Sequence, residues 1–466
     1  MKELLDSDRI VITAPAGCGK THLIGTTLAL LPETEKRHLI LTHTHAGVRS
    51  LRSKLHKLSV PSKKYHLSTI AGFAKRYALA YRELAGVSDT STFDEITVGA
   101  NAIIRESFGR KIITSSYSSI FIDEYQDCTT QQHQIALAVA DYLPSRIFGD
   151  PLQGIFGFGS NQIVNWETDV LTNFSEGPEL NNPYRWINNN PELGYWLLDV
   201  RRLLLEDRNI ELDKKLPKGC LWRVNTRQEQ ISSCKEFLSR KFETVVGILK
   251  FPEAAHSFAK SLRGTYDSID EIEAKDLMRF ADAMQNSDGQ SLLMACFDFA
   301  ETCFTGMGIV KTKVMRSISG SARRAAFPES LSGILLSGKN IIASPGAKAI
   351  KSFLSEIDIF SKSGASYCSR KSLWRDIQKI IIRVDRGISP NYLEAAKELK
   401  DHQRIIGQPL RNRIIARPLL IKGLEFHNSV VLDADSLTIK ELYVSLTRAS
   451  NAMMIHSSKP VLGNKR

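Results

Sequence analysis

The sequence has few cysteines and no long apolar run. Its seven cysteines are scattered over 466 residues, and no two of them are spaced Cys-x-x-Cys. Neither a disulfide framework nor a zinc site is therefore indicated. No run reaches the roughly 18 uncharged apolar residues that a membrane span requires, and residues 1–6 lack the apolar core of a signal peptide. We therefore expect a cytoplasmic protein with no membrane contact.

The chain also lacks low-complexity tracts, and 42% of its residues are hydrophobic. At 466 residues it is long enough for about three globular domains. Outside residues 123–127, the sequence contains no acidic cluster suited to two-metal cleavage of a phosphodiester. The sequence therefore gives no indication of a nuclease.

Positive charge exceeds negative charge by 12, and much of the excess lies in one segment. Between Lys311 and Arg383 there are fourteen Lys or Arg residues and four acidic residues. A polyanion such as DNA or RNA is the natural partner of this segment, because counterions released from phosphates drive such association. A solvated basic face without a ligand is the alternative interpretation.

A phosphate-binding loop follows the apolar run at residues 10–12 and precedes a run that can begin a helix. The loop residues are Ala14, Pro15, Ala16, Gly17, Cys18, Gly19, Lys20 and Thr21. In such a loop the backbone N–H groups and the helix dipole bind phosphates, the lysine adds charge, and the threonine hydroxyl holds Mg²⁺. The general pattern has glycine at the position of Ala14. The sequence predicts a nucleoside triphosphate site, with a chance Gly-Lys-Thr turn as the alternative.

Two acidic residues, Asp123 and Glu124, follow a second apolar run. Adjacent carboxylates at a strand end are costly unless they meet a cation or take part in chemistry. In a phosphate-loop nucleotidase the first acid holds Mg²⁺ and the second activates the attacking water. We assign Asp123 and Glu124 these roles, with an acidic helix start as the alternative. Gln153 follows a third apolar run, and its amide suits a hydrogen bond to a γ-phosphate or to that water.

Two arginines, Arg185 and Arg448, lie far downstream of these acids. Arginine suits the transition-state charge of a phosphoryl group, because its planar fork stays ionised and donates bidentately. Taken singly, each arginine also fits a surface position. The neighbouring segment 421–427, followed by the apolar run 430–432, favours the functional interpretation.

The motifs, taken together and in order, resemble those of one family. They occupy residues 17–21, 123–127, 149–153, 184–185, 422–426 and 443–449. The chain resembles superfamily 1 DNA helicases of the UvrD, Rep and PcrA type over nearly its whole length. The resemblance implies an α/β fold with two RecA-like P-loop domains, each with a parallel sheet, and small helical accessory insertions.

The resemblance also implies that ATP and Mg²⁺ bind between the two RecA-like domains. Lys20, Thr21, Asp123 and Glu124 would lie on the first domain, where Gln153 would sense the γ-phosphate. Arg185 and Arg448 would reach the phosphates from the second domain as arginine fingers. Gly423 and Glu425 would contact the nucleotide, and Glu425 would bind the ribose of that nucleotide. The family's activity would be ATP-dependent translocation along single-stranded or partly duplex DNA with 3′ to 5′ polarity.

Nucleic-acid contacts are implied at three places in the first domain. Thr42, His43 and His45 occupy a strand-contacting motif, with His43 at the family's stacking Phe position. Phe73 belongs to a looser match to the next motif. Phe156 and Phe158 fall on the family's base-stacking positions, although core packing also explains two phenylalanines there.

We predict a first RecA-like domain over residues 1–165, with a short accessory insertion at about 74–115. The second RecA-like domain comprises residues 166–284 and 405–466. Residues 285–404 form a mostly helical, basic accessory domain. This compact organisation is similar to the helicase-like subunit of the bacterial Gabija anti-phage system, which implies a separate nuclease subunit as partner. The alternative function is a nucleotide-gated sensor of DNA ends that regulates a nuclease without processive unwinding.

Overall fold

The computed structural model describes residues 2–156, 162–239, 243–269, 272–320, 327–406 and 411–463. Within these ranges the chain folds into two α/β units, each built on a six-stranded sheet, and one unit made of helices. We call these units the first domain, the second domain and the helical domain.

The strands of the first domain are short apolar runs. They are β1 (Arg9–Thr13), β2 (Arg37–Thr42), β3 (Tyr65–Thr69), β4 (Tyr117–Ile122), β5 (Ser145–Gly149) and β6 (Ser175–Glu176). They pair in the order β3-β2-β4-β5-β1-β6, and every pair is parallel. Because the strands are parallel, the loops that follow β1, β2, β4 and β5 meet at one edge of the sheet.

Helices cover both faces of this sheet, as a parallel sheet requires. They are α1 (Lys2–Asp6), α2 (Lys20–Leu30), α3 (His45–Lys57), α4 (Ile70–Ala80), α5 (Arg82–Ala85), α6 (Phe93–Arg105), α7 (Ser107–Ser116) and α8 (Thr130–Ala140). Threonine side chains cap α3 and α4, since Thr44 accepts from the Gly47 N–H and Thr69 from the Gly72 N–H. The helices α4 to α7 lie between β3 and β4, in the region where we predicted a short insertion.

The second domain repeats the parallel arrangement. Its strands are β7 (Ile210–Glu211), β8 (Cys220–Val224), β9 (Val245–Ile248), β10 (Asp267–Ser268), β11 (Arg413–Ala416), β12 (Phe426–Val431), β13 (Ala449–Ser457) and β14 (Val461–Leu462). The sheet has the parallel order β10-β11-β9-β12-β13-β8. Strands β7 and β14 form a separate antiparallel pair.

The remaining helices divide between the second domain and the helical domain. Before the helical domain come α9 (Pro191–Leu205), α10 (Arg227–Glu236) and α11 (Pro252–Ser261). The helical domain contains α12 (Ile272–Asn286), α13 (Gly289–Cys303), α14 (Met307–Ile318), α15 (Ser332–Ala343), α16 (Ala347–Lys362), α17 (Lys371–Asp385) and α18 (Tyr392–Ile406). The chain then returns to the second domain through α19 (Pro418–Ile421) and α20 (Ile439–Leu446). The helices of the helical domain thus begin before the boundary that we predicted at residue 285.

The helical domain has its own apolar core, in which Phe299 stacks on Phe280 and lies near Trp374. Among the described residues, every helix is too short or too polar to cross a membrane. The predicted fold class, with two RecA-like parallel-sheet domains and helical insertions, is confirmed.

The first and second domains share an apolar cluster. Ala16 and Leu152 of the first domain pack in one buried cluster with Trp186 and Tyr443 of the second domain. The Ala16 N–H also donates to the Tyr443 hydroxyl at 3.2 Å. The carboxyl edge of the first sheet, which carries the phosphate loop, therefore contacts the second domain directly.

Candidate active site

The phosphate loop connects β1 to α2, as its sequence predicted. Gly17 and Gly19 have φ values of 73° and 86°, a left-handed conformation that favours glycine. Within the described residues, no side chain caps the amino end of α2, so its first N–H groups face the loop. This geometry suits the binding of an anion at the helix amino end.

The second domain covers the phosphate loop closely. A Cβ atom added to Gly17 would lie 2.4 Å from the Trp186 ring, and one added to Gly19 would lie 3.0 Å from the Tyr184 ring. The Arg185 N–H donates to the Gly17 carbonyl at 3.1 Å. The two glycines are therefore needed for the approach of the second domain as well as for the turn.

The two acids lie beside Lys20. Lys20 Nζ is 2.9 Å from Glu124 Oε1 and 4.0 Å from Asp123 Oδ1. Burial opposes the ionisation of Glu124, but Lys20 and Lys422 outweigh it and lower the pKa of Glu124. Burial raises the pKa of Asp123 to about 6, against the attraction of Lys20. The pKa values of the two adjacent acids thus shift in opposite directions.

A hydrogen-bonded loop follows β5. The Gln153 side-chain amide donates to Asp150 Oδ2 at 2.9 Å, and Asp150 is fully buried. Arg201 Nε of the second domain lies 3.5 Å from Asp150 Oδ1. Asp150 of the first domain therefore holds Gln153 at the cavity wall, and the same Asp150 contacts Arg201 of the second domain.

The two predicted arginines both belong to the second domain. Arg185 pairs with Glu425 at 2.8 Å and donates to the Thr447 carbonyl at 2.7 Å. Arg448 is 1% exposed and donates to the carbonyls of Val444 and Leu424 at 2.7 and 3.0 Å. Burial and the nearby Arg185 lower the pKa of Arg448 to about 9.

A cavity of about 940 Å³ lies between the two domains and brings these groups together. The predicted nucleotide-site residues that line it are Pro15, Ala16, Gly17, Gly19, Lys20, Thr21, Asp123, Glu124, Gln153, Arg185, Gly423, Glu425 and Arg448. Ala14 and Cys18 do not line it, because both are buried in the first domain. The Cys18 thiol has its pKa raised to about 12 by burial and by Asp150, so it stays protonated at neutral pH.

The predicted nucleic-acid residues divide into several groups. Thr42, His43 and Phe156 line the large cavity. His43 and His45 also line a second cavity of about 450 Å³ that Gln403 of the helical domain borders. Burial lowers the pKa of His43 to about 4, so its ring is neutral at pH 7.

The prediction that Phe73 contacts nucleic acid is wrong. Its ring is 1% exposed and packs against Tyr77 with the ring centroids 4.8 Å apart. The apolar face of α4 needs this ring for the core, so no face of it is open to a base. Phe158 lies outside the described residues.

Phe156 retains an exposed ring, with 38% of the residue accessible. Lys422 Nζ of the second domain lies 4.8 Å from the ring centroid, a cation–π contact. Lys422 also forms an ion pair with Asp127, in which both side chains are buried. This cluster joins the two domains beside Glu124.

Sequence reasoning missed several groups that the cavity contains, and Lys54 and Asp127 are two of them. Lys54 of α3 lines the cavity, but a lysine on a surface helix gives no local signal of such a position. Asp127 was part of the quoted acidic segment, yet its pairing with Lys422 depends on a contact between residues far apart in sequence.

Among the described residues, no group of three or more His, Cys, Asp or Glu is arranged to hold a metal ion.

The chain is similar to several solved structures. Three solved structures are similar at 10% sequence identity: Pif1 helicase from Candida albicans, arterivirus nonstructural protein 10 (helicase) with DNA, and PRRSV helicase. Their TM-scores are 0.43, 0.37 and 0.31, and the alignments cover 100%, 98% and 98% of this chain. They cover 94% of the Pif1 chain, 63% of the arterivirus chain and 53% of the PRRSV chain, so this chain spans less than two thirds of either viral protein.

The search of curated proteins found no match. A family model described as an AAA domain matches residues 1–159. This span contains the phosphate loop, the two acids and Gln153, which are the first domain's contribution to the cavity. Residues 1–159 are thus similar to AAA domains in sequence, and the phosphate loop described above lies within them.

Proposed function

We propose that this protein hydrolyses ATP in the cavity between its two α/β domains and uses the reaction to move along single-stranded DNA. One observation carries the proposal: a lysine and two acids from the first domain meet two arginines from the second domain around one cavity. A nucleotide bound there would touch both domains. Its hydrolysis would therefore change how the domains contact each other.

The residues around the cavity have complementary roles in the proposed reaction. The phosphate loop and Lys20 would bind the β- and γ-phosphates. Thr21 and Asp123 both line the cavity and fit a Mg²⁺ ion carried in by the nucleotide, where the ion would neutralise phosphate charge. Glu124 would orient and deprotonate the attacking water, and Arg185 and Arg448 would stabilise the transition-state charge.

The DNA track would lie along the carboxyl edges of the sheets. Phe156 has an exposed ring there. His43 and His45 come directly after β2, and His43 lines both cavities whereas His45 lines the smaller one. Stacking on an exposed ring accepts any base, as a translocase requires. The positive charge of the chain favours a polyanionic track. The 3′ to 5′ polarity, an anti-phage role and a nuclease partner stay predictions of the sequence resemblance.

A strand-displacement assay tests the proposal. Duplexes with a 3′ or a 5′ single-stranded tail are mixed with the protein and ATP, and RNA duplexes of the same sequence run in parallel. We expect displacement of the 3′-tailed DNA duplex by the wild type and none by Lys20→Ala, with Lys260→Ala as the matched control. DNA-stimulated hydrolysis without displacement would support the sensor alternative. Hydrolysis that no nucleic acid stimulates would contradict both functions.

The rate should fall at acid pH because Asp123 has a raised pKa. Above a pH of about 6 the carboxylate is charged and can hold Mg²⁺, and below it the protonated acid cannot. Since kcat/KM reports ionisations of the free enzyme, its logarithm should fall with a slope of about one below about pH 6. Steady-state hydrolysis at one fixed, low concentration of free Mg²⁺ measures this profile. A constant kcat/KM down to about pH 5 would contradict the assigned role of Asp123.

Replacing Phe156 with alanine should weaken the coupling to DNA. Base stacking contributes about 1–3 kcal/mol, so the DNA concentration for half-maximal stimulation should rise about 5- to 150-fold. The measurement is ATP hydrolysis titrated with an oligonucleotide. Tyr195→Ala, at another exposed ring, on α9, is the matched control. An unchanged titration for Phe156→Ala would remove this ring from the track.

A further inference from the structure

Gln126 makes contacts that the proposed reaction does not yet use. It lies in a single helical turn, Tyr125–Asp127, directly after Glu124, and is 3% exposed. Its side-chain amide donates to Glu124 Oε2 at 2.6 Å, and its carbonyl oxygen accepts from the Asp150 N–H at 3.0 Å. One side chain thus joins the loop after β4 to the loop after β5.

We propose that Gln126 is a positioning residue, which holds the Glu124 carboxylate for hydrolysis and transmits movements of the β5 loop to it. The inference rests on the proposed function, because it assigns Glu124 to the attacking water. Gln126 itself would touch neither the nucleotide nor the water.

The conformation of Glu124 depends on such support. Its backbone has a φ of 58°, a left-handed conformation that a non-glycine residue rarely adopts. Lys20 contacts one carboxylate oxygen at 2.9 Å and Gln126 contacts the other at 2.6 Å. In the proposed reaction Lys20 binds phosphates, which leaves Gln126 as the contact that can hold the carboxylate throughout turnover.

The hydrogen bond between Gln126 and the Asp150 N–H, in the loop after β5, is also closely packed. A Cβ atom on Gly149 would lie 2.8 Å from Gln126 Oε1, so the glycine leaves the space that the Asp150 hydrogen bond needs. Asp150 then accepts from Gln153 Nε2 at 2.9 Å and from the Leu152 N–H at 3.3 Å. The same loop continues to Phe156.

This arrangement provides a short path from the proposed DNA contact to the hydrolytic acid. A base that binds Phe156 and shifts the loop would move the Asp150 N–H, and through Gln126 it would reorient the Glu124 carboxylate. Misplacing a reacting group by about 1 Å can cost about 100-fold in rate, so a small loop movement is sufficient.

Gln126→Met tests the positioning role, because methionine has nearly the same length but neither hydrogen bond. We expect kcat without DNA to fall about 10- to 100-fold, whereas nucleotide affinity, measured with a fluorescent analogue, changes by less than about threefold. A merely structural role would instead lower nucleotide affinity and the midpoint of thermal unfolding together with kcat. Gln126→Asn, which keeps the amide but shortens its reach, gives the same expectation if the methionine variant does not fold.

A double-mutant cycle tests whether Gln126 acts through Glu124. In a Glu124→Gln background, Gln126→Met should reduce the residual rate by less than about twofold, because coupled residues are not additive. A second loss as large as in the wild-type background would overturn the inference.

DNA stimulation tests the transmission. If the wild type is stimulated by single-stranded DNA, the ratio of stimulated to basal kcat should fall to about one in Gln126→Met, and an unchanged ratio would overturn the transmission. If DNA does not stimulate the wild type, the proposed function fails, but the double-mutant cycle on basal hydrolysis still decides the positioning role.

Discussion

Glu124→Gln will lower kcat for ATP hydrolysis about 1000-fold, since general-base catalysis contributes about 10²- to 10⁴-fold. The substitution keeps the size of the side chain and its hydrogen bond from Gln126, but it removes the basic carboxylate. Nucleotide affinity should change by less than about threefold, because the bond from Lys20 to Glu124 is not part of the nucleotide contact that we propose. Single-turnover hydrolysis and a fluorescent-nucleotide titration measure the two quantities separately.

Glu83→Gln, on the exposed helix α5, is the matched control and should retain wild-type turnover. A Glu124→Gln rate within about tenfold of the wild type would show that another group activates the water. The role of the base would then have to move to a different acid in the cavity, and Asp127 is the nearest one in sequence apart from Asp123, which is assigned to Mg²⁺.

Arg185→Ala will reduce kcat at saturating nucleotide by about 10³-fold or more, the effect of removing an arginine finger. Arg185 is suited to this test because it belongs to the second domain, whereas Lys20 and Glu124 belong to the first. Arg185→Lys should recover little activity, since lysine lacks the planar, bidentate fork. Nucleotide binding is expected to persist through the phosphate loop.

Arg202→Ala is the control, because this arginine of α9 is exposed and pairs only with a neighbour on its own helix among the described contacts. Normal turnover of Arg185→Ala would mean that the second domain does not take part in the chemistry. Arg448 is less suitable for the test. Its side chain donates to the carbonyls of Val444 and Leu424, so its loss would also remove internal hydrogen bonds of the second domain.

The fold and the residues at strand ends could be predicted from the sequence. An apolar run followed by Gly17, Gly19 and Lys20 predicts a strand, a phosphate loop and a helix, and the structure has these three elements in that order. The prediction was possible because the three elements are adjacent in sequence. The same holds for Asp123 and Glu124 after β4. Because the strands are parallel, the segments that follow them meet at the carboxyl edge of the sheet, so their proximity could also be predicted from the sequence.

Contacts between distant residues could not be predicted in the same way. Phe73 was assigned to nucleic acid by a loose motif match, but packing of α4 against α6 decides which side of α4 is buried, and Phe73 lies on that side. Lys54 and the pair of Lys422 with Asp127 depend on how two domains approach each other. The role that we propose for Gln126 depends on hydrogen-bond geometry, which a residue type alone does not specify.

Trp186 gives the protein an internal optical reporter. Its indole is 1% exposed, donates to the Ala449 carbonyl at 2.7 Å, and lies against Gly17 on the neighbouring domain. A movement that carries the phosphate loop away would admit water to one side of this ring and shift its fluorescence to longer wavelength. Stopped-flow emission, compared between the wild type and Trp186→Phe, can therefore follow opening and closing during turnover without an attached dye.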